Sequence, residues 1–156
     1  MKKLKISLIS FFAVIATFAQ TPSSADNTIK QLIDRYENTE GVDCIVATKG
    51  NGLELIKMMF NKQFGKSFMK GVTSITVIDY SEASEETCTA LHDDLEIFRT
   101  ILQEYDFSDS EEFKENQYMR CFASASDSET LSDFLIIIEE GSSKTLLYMA
   151  GKIVVN

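Results

Sequence analysis

The spacing of apolar residues changes along this chain. Segments with helical spacing alternate with strand-like runs, and their order predicts the order of helices and strands. Apolar side chains recur at helical intervals over 28–40, 53–64 and 85–105. Runs rich in β-branched and apolar residues predict strands over 42–48, 72–80, 118–125, 134–139 and 145–155. A capping-box spacing between Ser108 and Glu111 predicts a further short helix over 109–115.

The order of these main elements is α-β-α-β-α-β-β-β. The early β-α-β crossovers favour parallel or skipped neighbours, whereas the turn at 140–143 favours an antiparallel meander at the end of the chain. We therefore expect an α+β fold, with one layer of helices on a mixed, mostly antiparallel sheet of about five strands. The stretch 134–138 is apolar on both faces, which predicts a central strand.

The first nineteen residues have the pattern of a secretory signal peptide. Three lysines precede an apolar run from Ile6 to Phe18, and the small residues Thr17 and Ala19 predict cleavage after position 19. The run is shorter than the about 20 residues that span a membrane. The alternative is a buried N-terminal helix. The first cysteine is Cys44, so no cysteine is available for a lipid anchor at the cleavage site.

Three segments follow from this pattern. Residues 1–19 are the predicted signal peptide, residues 20–27 hold the only proline and are predicted to be a flexible leader, and residues 28–156 are predicted to form a single α+β domain. Thr28 and Gln31 have the spacing of a capping box at the start of the first helix. The expected location is outside the cytoplasm, in the periplasm or beyond the cell, without a lipid anchor.

The chain is acidic, and its charge is unevenly distributed. It carries 15 basic and 24 acidic residues, a net charge of −9, and removal of three lysines with the signal peptide would make this −12. Such a charge repels phosphates, so nucleic acid is not expected as a partner. Residues 41–72 have a net charge of +3 and residues 79–115 of −11. This contrast predicts a basic second helix and an acidic third helix that attract each other side by side.

The three cysteines, Cys44, Cys88 and Cys121, leave two alternatives open. They lie among apolar residues, which favours buried free thiols, but an exported protein could also form one disulfide from any two of them. No two are close enough in sequence for a zinc or redox motif.

Candidate catalytic residues are few. The only histidine, His92, is followed by Asp93 and Asp94, whose side chains point in other directions on a helix and cannot converge with it on a metal. Cys88 precedes His92 by four positions, so a thiolate–imidazole pair is an alternative to a histidine at the helix boundary. Adjacent acids such as Glu111 and Glu112 are typical of solvated surfaces. No catalytic residue, metal site or cofactor is therefore predicted.

The segment 53–70 is apolar on more than one side and rich in lysine, methionine and phenylalanine. A helix of this kind is either covered by the sheet and a neighbouring helix, or has an outer face that contacts a partner or a membrane surface. The residues of the predicted contact face are Lys57, Met58, Met59, Lys62, Phe64, Lys66, Phe68 and Met69.

The chain resembles a family of small exported Bacteroidetes proteins that carry the domain of unknown function 4252. The resemblance lies in Ile29, Leu32, Ile33 and Tyr36, followed by 40–42, and in the apolar stretches 134–138 and 146–153. These are framework residues, so the resemblance implies a Gram-negative envelope location but carries over no catalytic or binding residue. Some members are lipoproteins, from which the missing cysteine after Ala19 distinguishes this chain.

The sequence is compatible with three functional hypotheses. The first is a non-enzymatic envelope protein that binds a protein partner or self-associates. The second is a carrier of a small apolar ligand, which requires a cavity between helices and sheet. The third is a hydrolase that uses dispersed carboxylates, which requires a cleft where such groups converge.

Overall fold

The computed structural model describes residues 22–48, 50–64, 66–105, 117–125 and 130–154. Within these ranges the chain forms four helices and six strands. In chain order they are α1 (Pro22–Tyr36), β1 (Asp43–Ala47), α2 (Asn51–Phe64), β2 (Gly71–Asp79), α3 (Glu85–Leu95), α4 (Phe98–Ile101), β3 (Gln103–Tyr105), β4 (Gln117–Ala125), β5 (Thr130–Glu140) and β6 (Ser143–Val154). The predicted signal peptide and the predicted helix over 109–115 lie outside the described residues.

The six strands form one sheet in the order β1-β2-β6-β5-β4-β3, and each described pair of neighbours is antiparallel. The predicted α+β fold on a mostly antiparallel sheet is confirmed. Of the parallel or skipped neighbours expected early in the chain, the parallel pair is wrong, because β1 pairs directly and antiparallel with β2 although α2 lies between them in sequence. A skipped neighbour is found, since β2 lies next to β6 rather than β3. The apolar strand β5 has neighbours on both sides, as its composition predicts.

Helices cover both faces of the sheet, so the prediction of a single helical layer is wrong. On one face, α1, α3 and α4 pack around a cluster that includes Leu91, Phe98 and Tyr148. On the other face, Leu53 of α2 packs with strand residues that include Ile75. Alternate residues of each strand point to opposite faces, so two apolar sets require two layers of cover.

The basic α2 and the acidic α3 lie on opposite faces of the sheet, so the prediction that they attract each other side by side is wrong. The acidic helix bonds to α1 instead. Asp94 accepts a hydrogen bond from Arg35 at 2.5 Å and another from the Tyr36 hydroxyl at 2.6 Å. Proximity to Arg35 and these bonds outweigh desolvation and lower the pKa of Asp94.

The first helix begins at Pro22, six residues before the predicted capping box. Proline is favoured at the first position of a helix, and Ala25 is fully buried against the core, so residues 22–27 are not a flexible leader. Thr28 lies inside the helix, where its hydroxyl donates to the carbonyl oxygen of Ser24 at 2.9 Å. The capping pattern therefore misplaced the helix start.

The predicted long third helix is divided into α3, the single turn α4 and the short strand β3. Residues 103–105 pair with 121–123 of β4. Tyr105 is consequently buried on the α2 face of the sheet, whereas Phe98 is buried on the other face. Pairing with β4 overrides the helical spacing of these apolar residues.

The sheet is irregular at one level across four adjacent strands. The register shifts at Thr73 of β2, Ala123 of β4 and Asp133 of β5, and Gly151 of β6 lies at the same level with a φ of +97°. A Cβ atom on Gly151 would lie 2.3 Å from the carbonyl oxygen of Gly71. Only glycine combines this dihedral angle with so close an approach of two backbones.

Replacement of Gly151 by alanine tests this contact. We expect Gly151→Ala to lower the free energy of unfolding by about 3 kcal/mol or more, because the left-handed dihedral angle and the backbone clash both oppose a Cβ. Gly141→Ala is the control: this turn glycine also has a positive φ, of +61°, but no atom lies within 4 Å of its Cβ position. Urea unfolding should show that the free energy of unfolding of this control falls by only about 1 kcal/mol. If both variants lost the same free energy of unfolding, the backbone clash at position 151 would be contradicted.

Candidate functional site

A groove of about 480 Å³ lies between α1 and the sheet, within the size range of small-molecule sites. It crosses β1, β2, β6 and β5 near the level where the register shifts. Helix α1 supplies one wall of the groove and the four strands supply its floor. The lining residues are Asp26, Ile29, Lys30, Ile33, Val46, Thr48, Thr73, Ser74, Thr76, Asp133, Ala150 and Gly151.

The groove becomes more buried from β1 towards β5. At the β1 end, Val46 is 50% exposed and Thr48 is also exposed. Further along the floor, Thr76 is 3% exposed and Asp133 only 2%. A molecule that entered from the β1 edge would therefore reach Asp133 at the closed end.

Asp133 occupies its position because β5 bulges there. The residue has a φ of +53° and is the only non-glycine residue with a positive φ in the described part of the chain. A bulge re-aims the side chain of the extra residue, and aspartate is among the few residues that tolerate this conformation. Strained backbone of this kind is concentrated at functional sites in proteins.

The two oxygen atoms of the Asp133 carboxyl group differ in their surroundings. Oδ1 accepts a hydrogen bond from the Tyr148 hydroxyl at 2.7 Å. Oδ2 is buried and has no hydrogen-bond partner among the described residues. Buried polar atoms are nearly always paired in folded proteins, so this oxygen is an unusual, unsatisfied acceptor among the described residues.

Burial raises the pKa of Asp133 to about 6. The hydrogen bond from Tyr148 favours the ionised form and opposes the shift, whereas the negative charge of Asp26 adds to it. Asp26 itself forms an ion pair with Lys30 of the same helix at 2.8 Å, towards the solvent. A carboxyl group with a pKa near neutrality in a groove is typical of a functional site.

The predicted contact face is divided between solvent and core. Met58 and Met59 are each 65% exposed, and Lys62 and Lys66 are exposed. Lys57 is partly buried near Glu54, at 3.7 Å. The side chain of Phe64 lies outside the described part of the structure.

Phe68 and Met69 do not belong to this face, which corrects the prediction. Both are buried in the cluster on the α2 side of the sheet. The turn after α2 folds them inward, since the Met69 amide donates to the Asn61 side chain at 3.1 Å and the Val154 amide donates to the Phe68 carbonyl at 3.3 Å. Spacing alone does not show that the helix has already ended.

His92 and Cys88 have separate partners, so they do not form the thiolate–imidazole pair considered above. His92 Nε2 lies 2.6 Å from Glu139 Oε1, the oxygen that also accepts from the Tyr80 hydroxyl at 2.8 Å. The Lys144 ammonium donates to the Cys88 sulfur at 3.3 Å. These bonds connect α3 to the β5–β6 hairpin.

The three cysteines are free thiols, which answers the alternative that the sequence left open. Cys88 and Cys121 are buried and Cys44 is half-buried. Burial raises the pKa of the Cys121 thiol strongly, and a thiol of high pKa is a poor nucleophile.

Metal centres and membrane-spanning helices are two further features that the described ranges could contain. No group of three or more histidine, cysteine, aspartate or glutamate side chains is placed to hold a metal ion there. No helix within them is long and apolar enough to cross a membrane.

Comparison with known proteins found no matching family model, no matching curated protein and no matching solved structure. The resemblance to the domain of unknown function 4252 therefore stays a prediction. What this protein does has to be argued from its own geometry.

Sequence reasoning did not single out Asp133, because the predicted strand began one residue later, at Phe134. The strand begins at Thr130, so Asp133 lies inside it. A usable signal was present: Ser132 and Asp133 interrupt an apolar stretch, and β6 carries Gly151 at the matching level. A polar pair opposite a glycine is typical of a bulge.

The raised pKa of Asp133 predicts a specific dependence of stability on pH. The folded state keeps this proton up to a pH of about 6, whereas the unfolded chain releases it near about 3.9. The contribution of Asp133 to stability is therefore complete below about pH 4 and is lost as the pH rises through about 6, by about 2 to 3 kcal/mol.

Urea unfolding of the wild type and of Asp133→Asn between these pH values checks this. Asparagine tolerates the positive φ and can still accept the Tyr148 hydrogen bond. We expect the stability of the wild type relative to the variant to decrease as the pH rises. A difference that is independent of pH would show that Asp133 titrates normally.

Proposed function

We propose that this chain is an exported, non-enzymatic binding domain that holds a small ligand in the groove between α1 and the sheet. The observation that carries the proposal is the buried Oδ2 atom of Asp133, which has no partner among the described residues. A ligand that donates a hydrogen bond to this oxygen would satisfy it.

The energetic argument rests on the cost of an unpaired polar atom. An unsatisfied buried acceptor costs about 1 to 3 kcal/mol, and more when it is charged. The fold retains this cost together with the strained φ of Asp133. A bound donor would recover part of it, so the groove is preorganised for a ligand with a polar end.

The chemistry of the lining favours binding over hydrolysis. Apart from Asp133, the titratable groups that line the described groove are Asp26 and Lys30, which bond to each other. Ile29, Ile33 and Val46 supply apolar surface. The groove therefore has apolar walls and one buried carboxyl group. For the carrier of an apolar ligand considered from the sequence, this lining adds the requirement that the ligand has one polar end.

Export of the domain is part of the proposal. It rests on the lysines, the apolar run and the small residues of positions 1–19.

A substitution at the open end of the groove tests this function. Thr48→Phe should fill the entrance of the groove. We expect it to lower by at least about tenfold the affinity of any small molecule that saturation-transfer NMR detects on the wild type. Thr89→Phe is the matched control, because Thr89 is also exposed but lies on α3, outside the groove. If both variants bind like the wild type and no groove amide shifts, the groove is not the binding site.

A second candidate function is contact with a partner through the outer face of α2. Leu55, Met58 and Met59 are 57%, 65% and 65% exposed, on a helix whose other face packs on the sheet. Lysines flank them, so the face suits an acidic partner protein of the envelope, and this chain is itself acidic, which also allows a second copy. Contact with an anionic membrane surface is the weaker alternative.

The double variant Met58→Glu/Met59→Glu tests the α2 face. We expect it to abolish self-association in sedimentation, or capture of an envelope protein, because two carboxylates oppose burial of the face. Ile97→Glu is the control, since Ile97 is 47% exposed on the opposite side of the sheet. If the double variant behaves like the control, α2 is simply a solvent-exposed helix.

A further inference from the structure

The geometry points to a positively charged amine as the group that the closed end of the groove recognises. In this arrangement an ammonium group donates an N–H to Asp133 Oδ2 and supplies the positive charge that the carboxylate lacks. The inference rests on the proposed function and names the class of ligand: a short aliphatic amine.

First, the buried Asp133 carboxylate has no positively charged partner among the described residues. Asp133 is 2% exposed, and its partner on Oδ1 is the neutral hydroxyl of Tyr148. The nearest cation of the groove lining, Lys30, is already paired with Asp26 and its side chain is 66% exposed. No lysine or arginine of the described ranges bonds to Asp133. Buried carboxylates are usually paired with a cation, so the site lacks the positive charge that would complete it.

The second step is the local charge. Asp26 interacts unfavourably with the Asp133 carboxylate through space, so the groove has two acidic side chains and one lysine. A cation between the two acids would lower this repulsion, whereas a neutral donor would leave it unchanged. The closed end is thus electrostatically suited to a cation rather than to an alcohol or an amide.

The third step distinguishes an ammonium group from a metal ion. An ammonium group can bind to a single carboxylate with few further acceptors, and the groove offers one unpaired carboxylate oxygen, Asp133 Oδ2. Calcium needs six or more oxygen ligands, usually with several carboxylates. Such a set is not assembled among the described residues.

The remaining lining defines the rest of the ligand. Ile29 and Ile33 of α1, with Val46 and Ala150 of the strands, give the groove apolar walls between its open and closed ends. An unbranched aliphatic chain fits these walls while its ammonium group reaches Asp133. Carboxylate or phosphate groups on the ligand would meet Asp26 and are disfavoured.

The test compares two probes of the same shape, n-pentylammonium and 1-pentanol, by amide NMR titration of the purified protein. We expect n-pentylammonium to shift the amides of Thr76, Asp133 and Ala150 and to bind at least about tenfold more tightly than pentanol. Asp133→Asn should remove this preference, because it keeps the shape of the side chain and removes the charge. Asp93→Asn, an exposed position on α3, should retain it.

A second readout is the pH dependence of probe binding. Asp26 of α1 is the charged group that acts on Asp133 through space, Lys30 is paired with Asp26, and Tyr148 of β6 is the hydrogen-bond donor to Asp133. Only the ionised carboxylate binds the cation strongly, so affinity should fall about tenfold between about pH 7.5 and about pH 5. Asp133→Asn should abolish this dependence.

The outcomes separate the two proposals. If pentanol shifts the groove amides as strongly as n-pentylammonium, the amine inference is wrong while the groove remains a binding site. Calcium chloride that shifts the same amides as strongly would also overturn it, in favour of a metal ion. If neither organic probe shifts a groove amide at millimolar concentration, both proposals fail.

Discussion

Regular pleating stops at one level of this sheet, and the groove, its closed end and the nearby glycine contact all depend on that interruption. Thr73 is an extra residue of β2 relative to β6, residues 133–134 of β5 oppose the single residue Ala123 of β4, and residues 150–151 of β6 oppose the single residue Asp133. Each bulge adds local twist and disturbs the ladder, and neighbouring bulges align because adjacent strands must keep their hydrogen bonds. The groove under α1 lies at this level, lined by Thr73, Asp133 and Gly151.

The sequence predicted the helices and strands well where apolar spacing and local packing agree. It predicted them less well where pairing between distant strands determines the conformation of a segment. The strand over 134–138 is central because its residues are apolar on both faces, and the hairpin at 140–143 follows from local turn chemistry. Tyr105 has helical spacing from Phe98, yet it belongs to a strand because β4 offers hydrogen bonds at that point. No local pattern contains that information.

The candidate site was less predictable than the fold for the same reason. Asp133 becomes notable only when the bulge, the donor Tyr148 fifteen residues away and the wall of α1 come together. Met58 and Met59 are exposed, as helical geometry predicts, but the contact face that they belong to stays a prediction. Phe68 and Met69 were misassigned because the side of the sheet that a turn folds towards depends on the whole fold.

The position of α2 and α3 on opposite faces has an electrical consequence for the whole molecule. Helix α2 and the turn after it carry Lys57, Lys62, Lys66 and Lys70 against the single acid Glu54, whereas α3 carries four acids and neither lysine nor arginine. The sheet keeps these charges apart, so the two described helices have opposite charge on opposite faces of the sheet. Near any charged surface the two faces would therefore experience opposite forces, over distances comparable to the Debye length of about 8 Å.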